Sequence, residues 1–422
     1  MLNNPQHPAA TPAPVSILPG AHADRETAAG WKQWRLTRDS FVPAPRISLA
    51  EYRLMSPRDK AVHDLHRAAT HANLPMQETP MSEAVSKLMR SRIQTNALKH
   101  NPTTLAGLMI NGGGYQGKTA TACEAAAAFE DFWLDMHQGL NPDAVPGTRD
   151  LVATVAYIQT PVTAKPKSTC AAILDFFGMD SQNMDLPRLV RSVRKALYAH
   201  GTKVLILDDI TRLKMHREAD QDVLDLLRSF MSMNITLVLI GVGIPKSGLL
   251  REGRHDPRTN QVVFPVTKSK SYNDEAATQT ERRFDLIDLN PFRYDTAQSI
   301  DAWIQHLAGI EDQVRLFEAH EGMLTQGVMP EYLFRRTRGI VGLLERLVED
   351  GCTQAIDSGE ERLTTDLLDE IDINLGNPGR LPDAGEVPAV PERPAQTKRK
   401  AAGKRPRNTV FDDHGLPGTA TG

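Results

Sequence analysis

The chain has 422 residues, enough for one large or two ordinary domains plus tails. Hydrophobic residues make up 40% and charged residues 24%, which allows a sizeable core, while aromatics at 5% are too sparse for a design built on stacking single-stranded bases. A formal net charge of −3 leaves any contact with a polyanion to local patches. Cys123, Cys170 and Cys352 lie far apart with no paired framework, which suits reduced thiols in a cytoplasmic protein. No apolar run approaches the ~20 residues that span a bilayer, so no membrane partner is expected. The Pro- and Ala-rich stretch 1–21 lacks the basic and apolar blocks of a signal peptide.

In chain order, residues 1 to about 25 read as disordered, and 31–79 as helical stretches broken by prolines, with Ser56-Pro57 a helix start. His63, His66 and His71 lack cysteine partners or H-E-x-x-H spacing and read as solvated helix residues. A helix over 82–100 leads into the short apolar strand 105–110 (LAGLMI). Gly112, Gly113, Gly114, Tyr115, Gln116, Gly117, Lys118 and Thr119 follow, filling the pattern G-x-x-x-x-G-K-[ST] at every fixed position. Glycines let such a loop curl its N–H groups toward anionic oxygens. The spacing assigns Lys118 to the β- and γ-phosphates of ATP and the Thr119 hydroxyl to Mg²⁺. Thr119 to Leu134 reads as an Ala-rich helix, so the phosphates would meet a helix N-terminus, with Ala120 in its first turn.

After a strand over 151–158 and helices near 168–178 and 186–200 comes 203–210, KVLILDDI. Four apolar residues ending in two carboxylates describe a buried parallel strand that delivers acids to its C-terminal end, where open α/β sheets bind ligands. Asp208 is expected to hold Mg²⁺, and Asp209 to polarise the attacking water. A helix over 220–233 and strands over 235–242 and 284–289 complete the alternation of a parallel-sheet α/β core. Past Pro291 the strand signal stops, and four helical periods between 295 and 373 form a small helical domain. The expected divisions are an N-terminal extension over 1–80, a core over 81–290, a helical domain over 291–375 and a disordered tail over 376–422. Lys398, Arg399, Lys400, Lys404, Arg405 and Arg407 form an acid-free basic run in that tail, and Arg251, Arg254, Arg258, Lys268 and Lys270 lie in a long loop before residue 281. Both are candidate DNA-facing segments, and each is also read plainly as a mobile, solvated stretch.

The strand between the two motifs resembles the AAA+ class of P-loop NTPases, in which an extra strand separates the motif strands. Two further phrases, Thr280-Glu281-Arg282-Arg283-Phe284 and the run from Thr337 to Leu343, make the chain similar in order and spacing to the TniB family of transposition ATPases, relatives of TnsC, over about 50–373. The resemblance implies an AAA+ core with a C-terminal helical lid. It also implies a slow, DNA- or partner-stimulated ATPase that forms homo-oligomers on double-stranded DNA and recruits or activates a transposase. It assigns the arginine finger to Arg283, with Arg282 as second candidate, and gives Arg338 the place of a nucleotide sensor. The chain departs from the class at Ile240-Gly241-Val242-Gly243, where a polar sensor is usual, and at Asp209, where Glu is common. Both departures fit a slow switch. An initiator- or helicase-loader-like ATPase and a nucleotide-gated scaffold with little hydrolysis are the alternatives.

Overall fold

The computed structural model describes residues 17–373 apart from 19, 21, 102, 141–151, 163–164, 213–220, 247–253, 257–260 and 264–282. Among the described residues, seven strands are β1 (Gly107–Gly112), β2 (Val155–Gln159), β3 (Val204–Asp208), β4 (Thr236–Gly241), β5 (Arg254–Asp256), β6 (Gln261–Val263) and β7 (Phe284–Leu289). Five form one parallel sheet in the order β2-β3-β4-β1-β7. All five residues of β3 are buried, as a strand covered on both faces requires. The strand that separates the two motif strands in space is β4. β2, which separates them in sequence, lies at the outer edge beside β3. β5 and β6 pair as an antiparallel ribbon in the stretch read from sequence as plain loop.

Helix α4 (Pro80–Ala97) begins in a capping box between Thr79 and Ser82, with Pro80 in its first turn, and buries Val85, Met89 and Ile93. At its end the Asn96 side-chain amide donates to the Ala106 carbonyl at 2.9 Å and to Thr236 Oγ1 at 3.0 Å, which fastens the helix to the starts of β1 and β4. Helix α5 (Lys118–Leu140) follows the Gly-rich loop. Its small buried residues Ala122, Ala126 and Ala127 let it lie close on the sheet. α6 (Pro166–Phe176), α7 (Leu186–Ala199) and α8 (Gln221–Met231) complete the layers.

A second core, centred on Trp303, Phe334, Leu344 and Leu347, is built by α9 (Ala297–Glu311), α10 (Met329–Thr337), α11 (Val341–Ser358) and α12 (Thr365–Asp369). The N-terminal helices divide between the two cores. α1 (Ala28–Thr37) joins the sheet layer: Trp31 is buried and its Nε1 donates to Glu130 Oε2 on α5 at 2.6 Å. Glu130 also accepts from the Thr154 N–H at 2.8 Å, so one buried carboxylate ties α1, α5 and β2 together. Past α2 (Leu49–Leu54), α3 (Pro57–Ala72) packs on the helical unit. Its Arg67, 2% exposed, pairs with Glu361 and Asp64 at 2.7 Å each and lies 4.2 Å from the Phe317 ring centre.

The three histidines of α3 are buried, which corrects their reading as solvated. His71 Nε2 accepts from the Arg315 N–H at 2.9 Å, His66 Nε2 lies 2.8 Å from the Val42 carbonyl, and His63 stacks on Phe317. They face the helical unit and a preceding loop that periodicity alone does not reveal.

Candidate active site

The site is built where β1 gives way to α5. A Cβ on Gly112 would lie 2.6 Å from the Leu289 carbonyl oxygen of β7, so only glycine lets the chain leave the sheet there. Tyr115 (φ 57°) and Gly117 (φ 75°) then turn the loop through the left-handed region into α5. The first-turn N–H groups of that helix, at Lys118, Thr119 and Ala120, have no intrahelical acceptor, which makes the loop an anion cradle. Lys118 Nζ arches back to donate to the Gly113 carbonyl at 2.5 Å. Burial pushes its pKa below the usual lysine value, with Asp208 and Asp209 acting in the opposite direction. Gln116 is buried, and its Oε1 has no partner among the described residues.

β3 brings the acids to the same end of the sheet. Asp208 Oδ2 accepts from Thr119 Oγ1 at 2.7 Å and from the Tyr157 hydroxyl at 2.9 Å, and its Oδ1 accepts from the Asp209 N–H at 2.8 Å. A hydroxyl and a fixed carboxylate 2.7 Å apart beside a phosphate cradle are the hard oxygen donors that Mg²⁺ takes. The donor set therefore fits the ion expected from the sequence. Asp209 is held differently. Its backbone is left-handed (φ 51°), and its carboxylate is engaged by Arg212 at 2.9 Å and by the Gln159 amide at 3.2 Å. A cavity of about 410 Å³ opens between these acids and residues 23–26, which lie against the site although the sequence reading put the stretch up to about residue 25 in a disordered start.

The lid reaches the loop directly. α10 ends at Arg338 and Gly339, both left-handed, and the Gly342 N–H in the first turn of α11 donates to the Tyr115 carbonyl at 2.9 Å. The turn carrying Arg338 is thus set beside the phosphate loop. At the end of β4 no polar side chain stands in the sensor position: a Cβ on Gly241 would already lie 3.0 Å from Thr211 Cγ2, and Val242 is half exposed. Asn111, at the end of β1, ties the neighbouring segments by donating to Asp288 at 2.6 Å and accepting from the Ile244 N–H at 3.0 Å.

Arg283 is elsewhere. Its carbonyl accepts from the Gly107 N–H at 2.8 Å, so it stands where β7 and β1 both begin. The phosphate loop starts five residues further along β1, about 17 Å away at ~3.3 Å per residue. Arg282 lies outside the described residues, as do Arg251, Arg258, Lys268, Lys270 and the basic tail. Sequence reading missed Tyr157, Gln159, Arg212 and the segment 23–26. The usable signal is the register of β2 on β3, which puts Gln159 opposite Asp208.

A parallel sheet with β4 between the loop strand and the acidic strand, both motifs meeting at one sheet end, and a helical lid seated on the loop define a P-loop NTPase fold of the AAA+ class. Residues 89–261, which carry both motifs, match the family model of the bacterial TniB protein. Over that stretch the chain is similar to the TniB family, as its motifs suggest. No curated protein is similar enough in sequence to match. Among solved structures, Cdc6p from Pyrobaculum aerophilum aligns at 12% identity and a TM-score of 0.43, over 68% of this chain and 65% of that one. AMPPCP-bound DnaA from Aquifex aeolicus aligns at 13% identity and a TM-score of 0.35, over 69% and 65%. Drosophila ORC bound to DNA aligns at 11% and 0.40, over 80% and 72%. The chain therefore spans just under two thirds of the length of the Cdc6p and DnaA structures it matches. Among the described residues no helix is long and apolar enough to cross a membrane.

Proposed function

We propose that this protein is an ATPase switch that binds ATP with Mg²⁺, assembles side by side on double-stranded DNA, and recruits or activates a transposase. The observation that carries the nucleotide part is the 2.7 Å contact between Thr119 and Asp208, which joins two motifs 89 residues apart into one metal corner. Thr119 and Asp208 would hold Mg²⁺, which when bound supplies positive charge to the β- and γ-phosphates. Gly112 to Ala120 would cradle the phosphates through backbone N–H groups, and Lys118 would exchange the Gly113 carbonyl for a phosphate oxygen. Arg338, in the turn that adjoins Tyr115, would read the bound nucleotide from the lid. Arg283 stands about 17 Å from its own loop by strand rise, which favours action on a neighbouring subunit in a homo-oligomer. The DNA and transposase partners, and a cytoplasmic place of action, follow from the TniB resemblance.

One observation favours a second reading, a nucleotide-gated scaffold that scarcely hydrolyses. Asp209, the acid expected to polarise water, is already paired with Arg212. Steady-state ATP turnover of the full-length protein, with and without duplex DNA, separates the two. DNA-stimulated turnover supports the switch, and tight binding without turnover supports the scaffold. Electron microscopy of the same mixtures checks assembly: rings or filaments that need both ATP and DNA are expected, and monodisperse monomers would remove the oligomeric reading.

A further inference from the structure

The segment 23–26 stands over the metal corner and is built to stay there. Glu26 N–H donates to Asp24 Oδ1 at 3.0 Å, while Thr27 donates to the Asp24 carbonyl through its N–H at 3.1 Å and its hydroxyl at 3.0 Å. A Cβ on Gly30 would lie 1.9 Å from that same carbonyl oxygen, so glycine is required for the turn to close on α1. Arg25 anchors the other side, its guanidinium 5.2 Å from the Trp34 ring centre and 5.3 Å from that of Tyr157. Tyr157 in turn donates to Asp208, so the anchor and the metal corner share a residue. Glu26, Thr119, Asp208 and Asp209 line one cavity.

We propose that Glu26 is the residue that orients the attacking water and takes its proton, the role left open by the engagement of Asp209 with Arg212 and Gln159. The inference rests on the hydrolytic reading above and names a residue for it. In the reaction, the water oxygen forms a bond to the γ-phosphorus as one water proton passes to the Glu26 carboxylate. The bond from the γ-phosphorus to the bridging oxygen breaks, and its electron pair leaves with ADP. The proton on Glu26 then passes to solvent. Glu is one methylene longer than Asp, which suits a residue reaching in from an added segment. The charged groups around Glu26 are Asp24 and Arg25 on its own segment, Asp208 on β3, and Asp209 and Arg212 just after it. Burial, followed by Asp24, raises the Glu26 pKa above the usual carboxylate value, with Arg212 and Arg25 opposing, and a raised pKa makes a better base.

The test compares full-length wild type, E26Q, E26D and D209N in single-turnover hydrolysis of Mg-ATP, with affinity measured by a fluorescent ATP analogue. E26Q is expected to lower the rate by about 100-fold or more while leaving affinity within about twofold. E26D is expected to fall between E26Q and wild type, D209N to lose less than E26Q, and the acid limb of the wild-type pH–rate profile to vanish in E26Q. Wild-type turnover in E26Q, or equal loss of binding and turnover, would overturn the assignment and leave hydrolysis standing. An absence of turnover in wild type would instead remove the hydrolytic reading and this inference with it.

Discussion

Lys118 is the side-chain cation of the phosphate loop, and its ammonium is partly desolvated by burial, so a phosphate oxygen gains more from it than from a fully solvated lysine. Lys118→Ala is therefore expected to abolish the ATP-dependent rise in melting temperature. Ligand at ~100 times its Kd stabilises the folded state by ~2.7 kcal/mol, and the comparison is a thermal melt of both proteins with and without Mg-ATP. His306 offers a pH test. It is buried between Phe292 and Trp303, both ring nitrogens lack hydrogen-bond partners among the described residues, and burial pushes its pKa down to about 4. Its folded pKa lies below the unfolded value, so the unfolded state binds the proton first. Stability is lost as pH falls from about 6.5 toward 4, with a loss near pH 5 of about 2 kcal/mol. His306→Phe should remove that share of acid lability, measured as the difference in denaturation free energy between pH 7 and pH 5. At this scale the phosphate loop was legible because its fixed positions answer to local chemistry. Tyr157, Arg212 and Glu26 were not, because their place depends on contacts between segments distant in sequence.

Between elements, two of the joints that hold the helical unit can be tested by substitution. The first is α3, whose buried Arg67 meets Glu361 and the Phe317 ring. Arg67→Ala leaves Glu361 without its cation in a largely buried site, a change that costs about 3–5 kcal/mol, and the expected result is an early melting transition of the helical unit in calorimetry. The second is the first turn of α11 on the phosphate loop. A Cβ on Gly342 would lie 2.9 Å from the Tyr115 carbonyl oxygen and 3.1 Å from its Cβ. Gly342→Ala favours the helix by roughly 0.5–1 kcal/mol yet pushes the lid off the loop. The expected outcome is an unchanged or higher melting temperature without nucleotide and a smaller shift with ATP; an undiminished shift would separate lid seating from nucleotide binding. Most sheet strands and helices were readable from apolar runs and caps, as in β3 and α4. The split of the N-terminal helices between two cores was not, since His63, His66 and His71 look polar until the surface that buries them is known. The ribbon of β5 and β6 was missed because three-residue strands leave almost no periodicity to read.

At the scale of the whole molecule, the sheet carries the phosphate loop at one end of β1 and Arg283 at the other. Arg283→Ala is expected to bind ATP normally and to lose DNA-stimulated turnover, and mixing it with Lys118→Ala protein should restore part of the activity. A fully inactive mixture, or activity independent of protein concentration, would place the finger within one chain. The TniB resemblance was legible from motif order alone, and the side-by-side assembly proposed above would use this separation of ends. A donor at one end of the sheet and an acceptor at the other would let copies join head to tail through unlike surfaces, the arrangement that gives rings or open stacks. An open stack of these subunits would have a front and a rear. One terminal subunit would present an arginine without a client, and the other a nucleotide site that receives none. Hydrolysis would then be slowest at one tip, and anything docking on DNA beside the stack would meet chemically different faces to its left and right.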